Sequence, residues 1–210
     1  MPLYHQYKLR DWIVGVWKVD ETLEQLCSMF HHFSIYENDF KRFSAEKRKK
    51  EWLAVRVLLK ELCGEEKKIS YYPSGKPYLE DGSAYVSFSH TNGYVAVALH
   101  PSFEVGVDIE QYGTRVQRLA SRFIREDEKE SLAAGDEIYA LLLHWSAKET
   151  MYKLMDNVAV DFIDHLRIFP FIPQKSGSFD ACEYRSGKEC QFRIYYDTHP
   201  DYVLTFACLE

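Results

Sequence analysis

Apolar positions recur along this chain at two different periods, and the change of period marks out its elements. Within residues 44–62, Trp52, Val55, Leu58, Leu59 and Leu62 return at three- and four-residue steps, which predicts a helix, and Gly64 stands just past its end. The segment Tyr71-Tyr72-Pro73-Ser74-Gly75-Lys76-Pro77 then reads as a turn-rich loop. Residues 84–89 alternate, with Val86 and Phe88 on one face and Ser87 and Ser89 on the other, which predicts a half-buried strand with its serines outward. Thr91-Asn92-Gly93 supplies hairpin-turn chemistry ahead of an apolar run over 94–99. His100-Pro101-Ser102 breaks that run before a third strand over 104–110, so the three strands read as a small antiparallel meander.

Helical period returns over residues 114–125, where Val116, Leu119, Ala120, Phe123 and Ile124 mark one face, and a short second helix is expected from Glu126 to Gly135. Asp136 is placed to cap a longer helix over 137–154, whose inward stripe is read as Ile138, Leu141, Leu142, Trp145 and Tyr152. The tail returns to strand pattern over 192–196 and 202–209. A faint duplication links Trp52-Leu53-Ala54 and the later Ser89-His90 and Tyr94-Val95 to Trp145-Ser146-Ala147 and the later Thr198-His199 and Tyr202-Val203. Together these patterns predict an α+β fold of two similar subdomains, 1–103 and 104–210, related by pseudo-twofold symmetry, each a small antiparallel sheet packed with helices.

Composition narrows the functions available. A chain of 210 residues, 46% hydrophobic and 15% aromatic, can bury a substantial core. A formal charge of -6 argues against a general nucleic-acid binder, so any basic site is local. No apolar run is long enough to cross a bilayer, and Met1-Pro2-Leu3-Tyr4-His5 lacks the charged and apolar regions of a leader, which predicts a cytoplasmic protein with no membrane role. The five cysteines, Cys27, Cys63, Cys182, Cys190 and Cys208, are scattered and form no CxxC pair, so neither a disulfide framework nor a zinc site is expected.

The candidate chemistry is carboxylate chemistry. In Gly106-Val107-Asp108-Ile109-Glu110 the two-residue strand period points Asp108 and Glu110 to the same side, where together they can grip a hard cation. Glu149 lies four residues after Trp145 and three before Tyr152, on the stripe read as facing the core, where an unpaired anion is costly. A divalent ion shared by Asp108, Glu110 and Glu149 resolves that cost, and magnesium suits it, because it prefers oxygen and draws its remaining ligands from water and substrate phosphate. A polar strand face with Glu149 paired to a lysine accounts for the same residues.

Lys148 and Lys153 flank Glu149, and Lys153 is one turn onward on the same face, where it can neutralise phosphate oxygens or simply pair with Glu149. Ser89 and His90 end a strand at a tight turn and can donate to a phosphate, although a histidine in a turn is commonly a surface residue. Gly75-Lys76-Pro77 combines a permissive backbone with a cation, as many turns do. The segment KRFSAEKRKK at 41–50 holds six basic residues in ten, enough for a terminal phosphate or an acidic protein helix, or for a solvated helix face.

In order, GKP at 75–77, SFSH at 87–90, GVDIE at 106–110 and WSAKETMYK at 145–153 resemble the 4'-phosphopantetheinyl transferase superfamily. The resemblance runs from about Arg42 to Lys153, and its spacing is similar to the larger, monomeric surfactin-synthetase-activating type, not to the short trimeric holo-acyl-carrier-protein synthases. It implies Asp108, Glu110 and Glu149 as magnesium ligands. It also implies Arg42, Lys76, Ser89, His90 and Asp108 as coenzyme A contacts, Lys148 and Lys153 as lysines beside the pyrophosphate, and Glu128 as a further active-site carboxylate.

The reaction it implies is attack by a serine of an apo acyl, peptidyl or polyketide carrier protein on the β-phosphorus of coenzyme A, releasing adenosine 3',5'-bisphosphate. On this reading Glu149 is expected to act as the base, directly or through a metal-bound water, and Lys153 to assist the departing α-phosphate. Similar proteins follow the last lysine with Gly-x-Gly-Leu, whereas Leu154-Met155-Asp156-Asn157-Val158 has no glycine. Beyond Asp161 only a general strand pattern is shared. Two other functions fit the same residues: a non-catalytic coenzyme A or nucleotide binder, and a metal-dependent phosphohydrolase using water as nucleophile.

Overall fold

A computed structural model describes residues 3–132, 135–155, 159–187 and 190–209. The chain divides into two compact units, Met1–Ser102 and Phe103–Glu210. No helix among the described residues is long and apolar enough to cross a membrane.

The first unit runs β1 (Leu3–Leu9), β2 (Trp12–Lys18), α1 (Leu23–Ser28), a 3-10 turn, α2 (Glu37–Phe40), α3 (Glu46–Cys63), β3 (Ile69–Tyr71), β4 (Pro77–Leu79), β5 (Tyr85–Thr91) and β6 (Tyr94–His100). Its main sheet is antiparallel in the order β1-β2-β6-β5, and β3 and β4 form a separate ribbon. The helix α3 is the one its periodicity predicts, closed by Gly64 in the left-handed region, whose N–H donates to Lys60 O. It lies close to β2: a methyl group on Gly15 would stand 2.9 Å from Leu58 Cδ1, so the strand presents a bare backbone under the helix. Leu26, Leu53, Leu58, Val95 and Val97 centre the core of this unit.

The second unit runs β7 (Val105–Gln111), 3-10 turns over Thr114–Arg122 and Glu126–Glu128, α4 (Lys129–Leu132), α5 (Glu137–Leu154), β8 (Leu166–Ile168), β9 (Ser176–Glu183), β10 (Cys190–Thr198) and β11 (Tyr202–Cys208). Its sheet is antiparallel in the order β7-β11-β10-β9-β8. Asp136 caps α5 as expected, its Oδ1 accepting from the N–H groups of Ile138 and Tyr139. Here too a glycine lies beneath the helix: a methyl group on Gly106 of β7 would stand 2.6 Å from Thr150 O. Phe123, Leu143, Met151, Ile194 and Val203 are fully buried in this core.

One connectivity recurs in both units. A strand (β2 or β7) leads to an 18-residue helix (α3 or α5), and the chain returns as a hairpin (β5-β6 or β10-β11) whose second strand pairs with the first. Of the residues in the faint duplication, Trp52 lies on α3 and Trp145 on α5, and Tyr94 opens β6 and Tyr202 opens β11.

Four expectations are corrected. The three-strand meander does not exist, because β5 and β6 pair in the first unit while β7 pairs with β11 in the second. Ser87 is buried, facing Ala98 across the β5-β6 ladder, where two small side chains pack together. Residues 114–122 form 3-10 turns in place of an α-helix. Leu141 and Leu142 of the expected inward stripe of α5 are buried, but Trp145 and Tyr152 are not on it: most of the helix is buried, and Trp145, Glu149, Tyr152 and Lys153 mark its more open edge, with Tyr152 41% exposed.

Candidate active site

Strand β7 alternates Val107 and Ile109, both buried on one face, with Asp108 and Glu110 on the other, the face that meets α5. Across from it, Trp145, Glu149 and Lys153 follow one another at single-turn intervals along α5. Because helix and strand run in opposite directions, Trp145 reaches Glu110 and Lys153 reaches Asp108. The Trp145 indole N–H donates to Glu110 Oε1 at 2.7 Å. Lys153 Nζ donates to Asp108 Oδ1 and to Val107 O, each at 2.8 Å. Glu149 lies between these two contacts, and the close approach at Gly106 is what allows the three helix residues to reach the strand.

Negative charge dominates this edge. Burial, then the neighbouring Asp108, push the Glu149 carboxyl up to about 7, while Lys153 pulls it the other way. Burial and Asp108 likewise raise Glu110, opposed by the Trp145 hydrogen bond. Asp108 and Glu110 therefore both act on Glu149, yet among the described residues no three Asp, Glu, His or Cys side chains converge as a ready cation cage. The donor set suits magnesium in kind: all its atoms are oxygens, and that ion takes only one or two carboxylates where phosphate completes its shell. The Lys153 ammonium is the counter-charge in contact with Asp108. A depression of about 660 Å³ opens beside Glu149, walled by Tyr152, Val160, Phe162 and His165.

Lys148 and Glu128 stand apart from this edge. Both side chains are 0% exposed, and they pair at 2.8 Å. Lys148 Nζ also donates to Phe123 O at 2.6 Å and to Phe162 O at 3.0 Å. Glu128 accepts from the N–H groups of Arg125 and Ile168. With every charge answered inside the core, the structure places Lys148, expected as a pyrophosphate contact, and Glu128, expected as an active-site carboxylate, in a closed pair apart from the exposed edge.

The expected contacts in the first unit are only partly brought together. Arg42 and His90 line a cavity of about 480 Å³ with Arg48, Arg56, Trp52 and Tyr71. His90 meets Arg48 and lies 3.5 Å from Glu51 Oε2, while Arg42 pairs with Asp39 at 3.2 Å. Lys76, in the turn between β3 and β4, and Ser89, on β5, are outside this lining.

Two contributors escaped the sequence reading. Arg56 is 3% exposed, its guanidinium 3.3 Å from the Trp52 ring and donating to Trp52 O, and burial pulls its pKa down. A charge inside the apolar run Val55-Arg56-Val57 was the available signal. Trp145 falls on an apolar stripe by periodicity, and no sequence pattern announces its hydrogen bond to Glu110. The glycine-free segment after Lys153 includes residues 156–158, which lie outside the described residues.

No curated protein matches the chain in sequence. A sequence model of the 4'-phosphopantetheinyl transferase superfamily matches residues 104–207. That span holds β7, α5 and the whole carboxylate edge. It also continues past Asp161 through the strands of the second sheet, further than the motifs alone reach. The Asp-x-Glu strand, the helix that carries Glu149 and Lys153, and the sheet that supports both thus make residues 104–207 a domain of the 4'-phosphopantetheinyl transferase superfamily.

Proposed function

We propose that this protein is a phosphopantetheinyl transferase of the surfactin-synthetase-activating type, which moves the phosphopantetheine arm of coenzyme A onto a serine of an apo acyl, peptidyl or polyketide carrier protein. The observation that carries this reading is the edge formed by Asp108, Glu110, Glu149 and Lys153 inside a domain of that superfamily. Magnesium, held by Asp108, Glu110 and Glu149, would supply charge neutralisation at the diphosphate. Glu149 takes the proton of the attacking serine. The serine oxygen forms a bond to the β-phosphorus, the bond from that phosphorus to the bridging oxygen breaks, and the electron pair leaves on adenosine 3',5'-bisphosphate. Lys153, whose Nζ already donates to Asp108 Oδ1 and Val107 O, donates to the departing phosphate.

The arginine-lined cavity of the first unit suits the nucleotide end of the donor. Arg42 and His90, joined by Arg48 and Arg56, offer positive charge to a phosphate, and Trp52 and Tyr71 offer ring surface to a base. Lys76 and Ser89 complete the proposed coenzyme A contacts from the neighbouring turn and strand. The same reading makes the protein a cytoplasmic monomer, with no role on nucleic acid or membrane.

Intact-mass analysis of an apo carrier protein, incubated with this protein, coenzyme A and magnesium, tests the reading. A phosphopantetheine adduct on serine is the expected result. Free phosphopantetheine formed without any carrier would assign a phosphohydrolase instead, and coenzyme A binding with neither product would assign a binding protein.

A further inference from the structure

We propose that Trp145 is a positioning residue for Glu110, orienting that carboxylate through its indole N–H, and that the buried Lys148–Glu128 pair holds the rings that keep the indole in place. This rests on the reading of Glu110 as a cation-binding group. An indole has one donor and no acceptor, so Trp145 cannot itself ligate a cation; its bond to Glu110 Oε1 at 2.7 Å can only fix where that carboxylate points. A glutamate side chain turns about three bonds, and a partly buried donor on one oxygen removes much of that freedom while leaving Oε2 to present to a ligand.

The indole is itself held on two sides. Phe123 meets it edge-on, with centroids 5.3 Å apart, and Phe162 lies against it at 5.5 Å. The backbone carbonyls of those two phenylalanines are the oxygens to which Lys148 Nζ donates, at 2.6 and 3.0 Å. Glu128 anchors Lys148 at 2.8 Å and is tied in turn to the N–H groups of Arg125 and Ile168. One ammonium thus fixes both walls around Trp145, and Trp145 fixes Glu110. Lys148 has a part in the site without touching a ligand.

The test uses the full chain with Mn2+ as probe, titrated with coenzyme A present and followed by loss of the free-ion EPR signal. Trp145→Phe keeps a ring between Phe123 and Phe162 but removes the donor. Folded Trp145→Phe should bind Mn2+ about tenfold more weakly than the wild type. Equal affinity in the two proteins overturns the inference. Should the variant not fold, the wild-type indole N–H resonances decide, with Trp145 assigned by elimination using Phe substitutions at the other tryptophans. The Trp145 signal should move on Mg2+ addition, and an unmoved signal overturns the inference. A wild type that binds no Mn2+ removes the metal reading of Glu110, and this inference with it, a result distinct from equal binding by both proteins.

Discussion

Lys148 and Lys153 lie five residues apart on α5, and each meets a carboxylate at 2.8 Å, yet they belong to different kinds of place. Lys148 and Glu128 are sealed in the core with every remaining donor and acceptor used by backbone. Lys153 keeps a side chain 26% exposed and holds Asp108 at an edge where two further carboxylates are raised by burial and by Asp108 itself. Contact distance does not separate the two pairs. Exposure and the balance of charge do: the closed pair can act only through the side chains and backbone it holds in place, while the open one has both access and an excess of anion with which to recruit a cation or a phosphate-bearing ligand.

The sharpest way to break this contrast is to remove the closed lysine. Lys148→Met leaves Glu128 buried without its cation and should cost about 3–5 kcal/mol, read as a lower urea midpoint. A loss under about 1 kcal/mol would mean that Glu128 finds another partner or is protonated in the core. Next in size, Gly106→Ala pushes a methyl group to 2.6 Å from Thr150 O. Moving α5 away from β7 should cost roughly 1–3 kcal/mol and loosen the Lys153–Asp108 contact, so transfer should fall with stability.

His144, on the closed side of α5, gives a smaller effect that depends on pH. It is 0% exposed, stacked on Phe171, and its Nε2 has no hydrogen-bond partner among the described residues. Burial holds its imidazole below the ordinary value, so on the acid side of about 6.5 the unfolded chain takes up a proton that the folded chain resists. Its contribution is present above that pH and is lost as pH falls through the folded-state value. His144→Phe should therefore remove roughly 1 kcal/mol of the drop in stability between pH 7 and pH 5, measured by denaturation at the two pH values. The smallest effect is expected at Arg42, whose side chain is 77% exposed beside Asp39. Arg42→Ala should change stability by no more than about 0.5 kcal/mol, while raising the KM for coenzyme A several-fold with kcat unmoved.

Much of this was legible beforehand, and the gaps have physical causes. Helices α3 and α5 announce themselves through period and caps, and Asn92-Gly93 announces the β5-β6 hairpin. The β1-β2 hairpin went unread because its two-residue turn is Arg10-Asp11, with Arg10 in the left-handed region at φ 49° and no glycine to mark it. The supposed meander failed because local alternation gives strands but not their partners, and the partner of β7 lies at the far end of the chain.

Helix geometry alone already separated the two lysines. Lys153 is four residues from Glu149, about 40° round the helix, and Lys148 is one residue away, about 100° round. The motif resemblance grouped them because it counts neighbours in sequence. The open edge at Trp145 and Glu149 is not separable from a core stripe in sequence, because α5 is buried on nearly every side, polar residues such as His144, Ser146, Lys148 and Thr150 included, so its few less buried positions stand out only in three dimensions.

The claim that the open edge of α5 carries the chemistry is tested most directly by Glu149→Gln, compared with the wild type by intact mass of an apo carrier protein after incubation with coenzyme A and magnesium. The wild type should load phosphopantetheine onto the carrier, and the folded variant, with an unchanged urea midpoint, should leave the carrier in its apo form. Equal loading by both proteins is incompatible with a catalytic role for this edge.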